Sequence, residues 1–487
     1  MLAAVVLAAC PSTGVKPDPA AAGAPDATIV ISAELRGYLG PCGCSENMRG
    51  GIARAAAQLE KVRAEGRPTF FIDSGEALFG APSIPEEAVA QQERKATALA
   101  AAFKEMKLDA RIAGPLDDVR GADFRKKQAL PELNGPRVLE RGGFKVGVVS
   151  GSTSSELAAA AGQVRSKGAR LVLGLFPGPL DKAAEAAPGS GVDLLVAARA
   201  KDEIAGEQSR LFRTDPPVAQ VQSKGRSMIR VDVWDGTGDK VELLMGASDK
   251  ERELQALDER IEMLRAQTND PTLQPARKEL LQQKLVELES RRAAAASEPP
   301  PSPQGKRSLS VRFLPLESSF PQDPAVKAIV DAYDKDVGQL NLEYARTKGK
   351  DCPQPAKDEA GFVGNEACRD CHKEAFPIWE ASKHAHGLET LVKENKQFHL
   401  DCVGCHVTGW QRAGGVCRID KTAGREGIGC ESCHGPGSIH SDEPTLTNIG
   451  KGNDPKMCVS CHDRENSPHF DFEKYVTQIL GKGHGTK

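Results

Sequence analysis

Four copies of one five-residue pattern decide what this chain can become. They are Cys368-Arg-Asp-Cys371-His372, Cys402-Val-Gly-Cys405-His406, Cys430-Glu-Ser-Cys433-His434 and Cys458-Val-Ser-Cys461-His462. In each, two thiols stand at the spacing that adds to the two vinyl groups of a haem. The histidine that follows is placed as the proximal iron ligand. Zinc ribbons also use C-x-x-C knuckles, but they do not require a histidine after every second cysteine. The pattern therefore predicts four covalently attached haem c groups. All ten histidines lie at or after His372, so whatever the first 371 residues do, they do it without an imidazole.

Four proximal histidines leave six: His384, His386, His399, His440, His469 and His484. Closing four irons with a second imidazole would use four of these, and a six-coordinate iron favours electron transfer over catalysis. One missing ligand would leave an iron open to a small nitrogen or sulfur oxyanion. With four cofactors in about 125 residues, the porphyrins must supply much of the local core, because so short a segment cannot build a large apolar one.

The 487 residues suggest two to four domains at about 100–200 residues each. A net charge of −3 and an aromatic content of 5% give neither the basic field nor the stacking surface of a nucleic-acid binder. No run of 18 apolar residues exists, so no membrane-spanning helix is predicted. Leu2 to Ala9 is a short apolar run, and Leu7-Ala8-Ala9-Cys10 has the form of a bacterial lipobox whose Cys10 would carry lipid. The run lacks the basic residues that open an export signal, which implies a start further upstream. The competing reading is a chance cysteine after an Ala-rich start. A Pro/Ala/Gly tether over 11–25 suits an anchored domain.

From residue 26 short apolar strands alternate with helical stretches, the pattern of a layered α/β domain. Strands are expected at 28–32, 69–72, 145–149, 170–175, 193–196 and 228–234, and helices at 51–65, 85–106 and 154–167. This first unit spans 26–248. Over 249–297, leucines and isoleucines recur at spacings of three and four on either side of Asn269-Asp270-Pro271, which predicts an antiparallel helical hairpin. Residues 298–308 read as a Pro-rich linker, 309–346 as a strand and helix closing the α/β domain, and 360–487 as the haem segment. Cys352 and Cys417 remain outside the motifs and can pair in an oxidising compartment.

The stretch Gly429-Cys430-Glu431-Ser432-Cys433-His434-Gly435-Pro436-Gly437-Ser438-Ile439-His440 resembles the signature of multihaem cytochromes of the cytochrome c-554 type. Trp379 to His386 and Cys405-His406-Val407-Thr408-Gly409 resemble other stretches of that family. The resemblance implies packed, mostly bis-histidine haems in an exported electron carrier, with His384 and His440 as distal ligands. It also marks His484 as a terminal ligand, leaving His386 as the fourth choice and His399 and His469 as weaker ones.

Residues 26–345 resemble the metallophosphatase domain of 5′-nucleotidases of the UshA-like kind. The resemblance rests on Gly50-Gly51-Ile52-Ala53-Arg54 opening a helix and on Phe71-Ile72-Asp73-Ser74-Gly75-Glu76 ending a strand. Working members hold two metal ions that clamp the attacking and leaving oxygens of a phosphate ester. Here the resemblance puts Glu34 and Arg36 where an Asp and a His belong, and Glu76 where the bridging Asp belongs. Gly114-Pro115-Leu116-Asp117 replaces a Gly-Asn-His-Glu turn. Near 175–177 and 198–199 the two later histidines are missing. Glu34 and Glu76 retain the chemistry to hold one hard cation, but the two-metal phosphatase is not expected.

The expected fold is thus an α/β metallophosphatase-like sandwich with an inserted helical hairpin, followed by a small, mostly α or irregular tetrahaem cytochrome c domain. Cys42 and Cys44 lie in the loop after the first strand, where α/β sheets bind ligands. Redox cycling, a structural disulfide and a soft-metal site all stay open for them. The expected protein is a lipoprotein on the periplasmic side of the cell envelope, at the outer membrane, passing electrons to redox partner proteins. It would meet the membrane through its lipid alone and bind no nucleic acid. The alternatives are an oxidoreductase acting on a small inorganic compound at an open haem and, third, a metal-dependent phosphoesterase.

Overall fold

The computed structural model describes residues 23–41, 48–244, 247–268, 274–297, 305–452, 454–463, 466–467, 470–481 and 483–484. Cys10, Cys42, Cys44 and His469 lie outside the described residues.

Among the described residues twelve strands follow in chain order: β1 Ala27–Ser32, β2 Thr69–Asp73, β3 Ala110–Arg111, β4 Arg137–Arg141, β5 Phe144–Ser150 and β6 Leu171–Phe176. After them come β7 Leu194–Ala197, β8 Arg210–Phe212, β9 Val218–Gln220, β10 Ser227–Trp234, β11 Thr237–Leu243 and β12 Lys306–Pro315. They form two six-stranded sheets, ordered β11-β12-β10-β1-β2-β3 and β4-β5-β6-β7-β9-β8. In the first sheet β1 runs parallel to β2 and antiparallel to β10.

Side-chain alternation turns these sheets into four layers. Ile29, Ile31, Phe70, Ile72, Val146, Val148, Leu171, Leu173, Ile229 and Val231 fill the space between the sheets. Their neighbours Val30, Phe71 and Met228 point the other way, onto the helices Ile52–Arg63, Val89–Glu105 and Pro324–Thr347. On the far side Val149, Val172 and Leu195 pack against the helices Ser154–Ser166 and Leu180–Ala186. Strands buried on both faces read as continuous apolar runs, which is why they were legible in sequence. The expected strands and helices differ from the observed ones by a few residues at their ends. The strands β4, β8, β9 and β11 carry no such run: β4 and β11 are charged and lie at sheet edges, β4 half-buried and β11 largely exposed.

Local chemistry fixes the helix starts. Thr153 caps its helix by accepting the Glu156 amide, and Asp323 accepts that of Val326 with Pro324 at the first helical position. The hairpin consists of the helices Ala247–Thr268 and Pro275–Ser297, so its first helix begins two residues before the expected 249. Leu257, Ile261, Leu264 and Leu288 form its seam. Ion pairs Arg265–Glu289, Arg291–Glu253 and Arg292–Asp258 flank it in solvent and add little. β12 begins at Lys306, inside the stretch expected to be linker, because Lys306 pairs with Thr237 of β11 before the register with β10 takes over from Ser308 to Pro315.

The haem segment is a chain of short helices, four to seven residues each. Its packing begins ahead of residue 360. Cys352 is disulfide-bonded to Cys417, the Gly414 amide donates to the Pro353 carbonyl, and Lys421 pairs with Asp351. These ties close a loop of sequence separation 65. Replacing both cysteines by alanine should therefore lower the unfolding free energy of this segment by about 4 kcal/mol, read from denaturant melts that follow the haem-segment signal. An unchanged midpoint would contradict this.

Candidate haem sites and the carboxyl-edge cluster

The second and third motifs are themselves the helices Leu400–His406 and Cys430–His434. In the first and fourth, the His372 and His462 amides donate to the Cys368 and Cys458 carbonyls. One helical turn thus sets both thiols and the histidine on one side of the chain. The third motif anchors its surroundings. Buried Glu431 accepts hydrogen bonds from the amides of Val363, Gly364 and Gly437, and Asn365 Oδ1 accepts one from Cys430 N. Buried Thr408 Oγ1 donates to the Gly427 carbonyl and accepts from the Gly429 amide.

Three of the motif histidines have Nδ1 bonded to a neighbour: His406 to the Gly387 carbonyl at 2.6 Å, His434 to the Gly450 carbonyl at 2.8 Å, His462 to Ser467 Oγ at 2.9 Å. Such bonds fix the ring and leave Nε2 for a metal. Imidazoles also come together across the segment. The ring centres of His372 and His440 are 6.3 Å apart at 29°, and those of His384 and His462 are 6.1 Å apart at 49°. Two metal–nitrogen bonds of about 2 Å with roughly 1 Å from each nitrogen to its ring centre require about 6 Å. The residues fit a metal held between each pair. His440 has its Nδ1 tied to Thr445 O and Asn448 Oδ1, again leaving Nε2.

The motifs also neighbour one another. A Cys368–Cys430 hydrogen bond holds the Cys368 thiol below its ordinary range, and a Cys405–Cys461 bond brings Cys461 down to about 6. The first motif thus abuts the third and the second abuts the fourth.

The remaining histidines divide. His484 lies within electrostatic reach of His434 and His372, and burial lowers its pKa. His386, the fourth choice from sequence, is exposed on the surface. Its Nδ1 pairs with Glu389 Oε1 at 2.8 Å and its Nε2 meets the Glu380 carbonyl at 3.0 Å, so a carboxylate and a backbone carbonyl occupy its two nitrogens. His399 is buried with Nε2 on the Asp334 carbonyl at 3.2 Å. Among the described residues no ring pairs with His406.

The second constellation lies at the carboxyl ends of β1, β2 and β3, where Ser32, Asp73 and Arg111 stand in register. Arg111 is fully buried and reaches Asp73 at 3.3 Å, Asp117 at 2.8 Å and Glu132 at 3.3 Å. Asp117 also accepts amides from Gly114, Glu76, Ala77 and Leu78. Burial pushes Asp73 up to about 7, against the pull of Arg111. Burial works against the Arg111 cation too, but Asp117 and Asp73 outweigh it and raise its pKa.

Beside this cluster Glu34, Arg36 and Glu76 are non-glycine residues in the left-handed region, at φ 52°, 51° and 57°. Such backbone persists only where the surroundings impose it. Glu34 accepts the Ala200 amide and Glu76 that of Leu116. Their other oxygens lie 3.8 Å from Arg36 Nε and 3.9 Å from Arg199 Nη1. Burial raises both carboxyls above their ordinary range. The cations near these carboxylates are guanidinium groups, and among the described residues no three His, Cys, Asp or Glu side chains are grouped to hold a metal. Sequence reasoning named Glu34, Glu76 and Asp117 but missed Arg111, which sits on a two-residue strand with no periodicity to reveal it.

The motif turns and the neighbouring imidazoles are the parts from which a c-type cytochrome segment is built. Residues 367–435 match the family described as cytochrome c554 and c-prime, and residues 423–467 match the doubled CXXCH motif. The chain is 38% identical over 94 residues to cytochrome c-554 of Nitrosomonas europaea, a match covering 16% of this chain and 40% of that protein. The α/β part is similar to the 5′-nucleotidase precursor of Thermus thermophilus, at 14% identity and TM-score 0.42, covering 70% of this chain and 62% of that one. It is also similar to the sulfate thiohydrolase SoxB of Thermus thermophilus, at 13% identity and TM-score 0.41, covering 72% and 68%.

Two outcomes follow for the carboxyl-edge cluster. Arg111→Ala strands buried carboxylates and should destabilise the α/β domain by about 3–5 kcal/mol in urea melts. Asp73 holds its proton to a higher pH folded than unfolded, so its contribution to stability is complete below about pH 4 and is lost as pH rises through about 7. Asp73→Asn should thus remove up to about 1.4 kcal/mol per pH unit of declining stability over that window. Parallel slopes for Asn and Asp would contradict the shift.

Proposed function

We propose that this protein is an exported, lipid-anchored tetrahaem c-type cytochrome that passes electrons between redox partner proteins of the cell envelope. One observation carries the reading: four attachment motifs in a segment where two imidazole pairs stand at metal-bridging separation. Cys368 and Cys371, Cys402 and Cys405, Cys430 and Cys433, and Cys458 and Cys461 would hold the four groups. His372, His406, His434 and His462 would be the proximal ligands. His440 and His384 face His372 and His462, and His484 is the third distal candidate. Haem c supplies one-electron transfer through an iron whose potential its ligands and their hydrogen bonds set. The residues of the chain orient the imidazoles through Nδ1 and tie the motifs together through Glu431 and Thr408.

Anchoring at Cys10, a periplasmic-facing position and placement at the outer membrane rest on the lipobox-like sequence and on the export that haem attachment to C-x-x-C-H requires. No helix among the described residues is long and apolar enough to cross a membrane. The α/β domain serves as a scaffold without phosphatase activity. Support comes from the missing histidines and from Arg111, Arg36 and Arg199 as the positive groups at its carboxyl edge.

A second reading, a haem enzyme acting on a small nitrogen or sulfur compound, is favoured by one observation. His386 has both ring nitrogens, and His399 its Nε2, committed elsewhere, and no described ring pairs with His406. Low-temperature EPR of the oxidised protein, with haem quantified on the same sample, decides between the readings. Four low-spin ferric signals per chain are expected for the carrier. A stoichiometric high-spin signal would replace it with the enzyme, and a chain that incorporates no haem would overturn both.

A further inference from the structure

We infer that the α/β domain is the seat of the second haem-attachment helix, with Gln91 and Asn341 as positioning residues for His406. The inference rests on the tetrahaem reading above and deepens it. It concerns three elements far apart in sequence: the helices Val89–Glu105 and Pro324–Thr347 of the α/β domain, and the motif helix Leu400–His406.

The first amides of a helix have no partner within it and must find one elsewhere. For Leu400–His406 that partner is in the other domain. Gln91 Oε1 accepts from the Leu400 amide at 3.0 Å and from Asn341 Nδ2 at 2.6 Å, while Asn341 Nδ2 also donates to the Phe398 carbonyl at 2.8 Å. Gln91 is 0% and Asn341 2% exposed. At the rim, Asp401 meets Lys95 at 2.7 Å and Gln92 at 3.0 Å. His399, just before the helix, rests edge-on against Tyr333 with its Nε2 on the Asp334 carbonyl. Midway along, Val403 is fully buried in a cluster that includes Ala345 from the α/β domain's last helix. The far end is held by the His406 Nδ1 bond to Gly387. The helix is thus gripped at its start, middle and end, and two of the three grips come from the α/β domain.

Buried amides are an expensive way to hold two helices together. Gln91 Nε2 and Asn341 Oδ1 are buried with no hydrogen bond among the described residues, and a well-packed apolar pair would avoid that cost. What an apolar pair lacks is direction. The shared oxygen fixes where the Leu400 amide sits, and with it the azimuth of a seven-residue helix that ends in the proximal histidine. A ligand ring held by its hydrogen-bonding surroundings transmits that orientation to the metal it binds.

The test uses the full-length haem-loaded protein and a spectroelectrochemical titration of its haems, with EPR on the same samples. His406→Met identifies the transition that belongs to the second haem. Gln91→Met and Asn341→Ala should move that transition and alter its EPR feature, with the other transitions unmoved and haem content unchanged. Lys95→Met, at the solvent-exposed rim of the same contact, should move it less and in the same direction, and it serves as the test if Gln91→Met does not fold. Unmoved transitions in the variants that fold, or a uniform shift of every transition, would overturn the inference. Absence of haem from the wild-type chain would instead overturn the tetrahaem reading.

Discussion

The helix Pro324–Thr347 belongs to two cores at once, and the rest of the architecture depends on that. Its Val326, Tyr333 and Val337 complete the helical layer over the first sheet, while Ala345, near its end, enters the cluster built around Val403, Val407, Val416 and Ile419. A segment of four-to-seven-residue helices cannot bury enough apolar surface to stand alone without its cofactors. It gains a wall from this helix, a disulfide, and a buried acid, Glu431, that gathers three amides from two separate stretches of chain. The last helix of one domain is therefore also the first wall of the next.

At the carboxyl edge of the first sheet the protein's own carboxylates meet its own guanidinium groups. Acidic residues converge there, and the backbone is held in left-handed conformations at Glu34, Arg36 and Glu76. Convergent carboxylates must be neutralised, by metal ions, by protons or by cations of the protein itself. Arg111 supplies such a cation from within the sheet, reaching three carboxylates, and Asp73 is partly relieved by keeping its proton to higher pH. Arg36 and Arg199 stand beside Glu34 and Glu76. Guanidinium groups thus tie these carboxylates together across the strand ends.

Periodicity made the buried strands and long helices readable, because a strand covered on both faces has to be apolar throughout and an amphipathic helix repeats every three to four residues. It could not reveal edge strands such as β11, whose Thr-Gly-Asp-Lys-Val-Glu-Leu turns only Val241 and Leu243, partly buried, onto the core. The haem motifs were legible at single-residue resolution, since five consecutive positions hold all the chemistry. The distal partners were only partly so. His386 resembles a ligand by position, yet a nearby glutamate and a backbone carbonyl claim its ring. His399 looks dispensable and is buried at the contact between the domains.

The sequence by itself determined where the motif thiols and their adjoining imidazoles lie, that imidazole is confined to the C-terminal part, and that an α/β alternation precedes it. These are local properties, written in residues that are neighbours along the chain. Tertiary structure alone decided which histidine faces which, that Arg111 is the cation among Asp73, Asp117 and Glu132, and that Gln91 meets Leu400 across 309 positions of sequence. Each of those contacts joins elements whose own patterns are satisfied without it. Only the packing of the complete layers sets the distance between them.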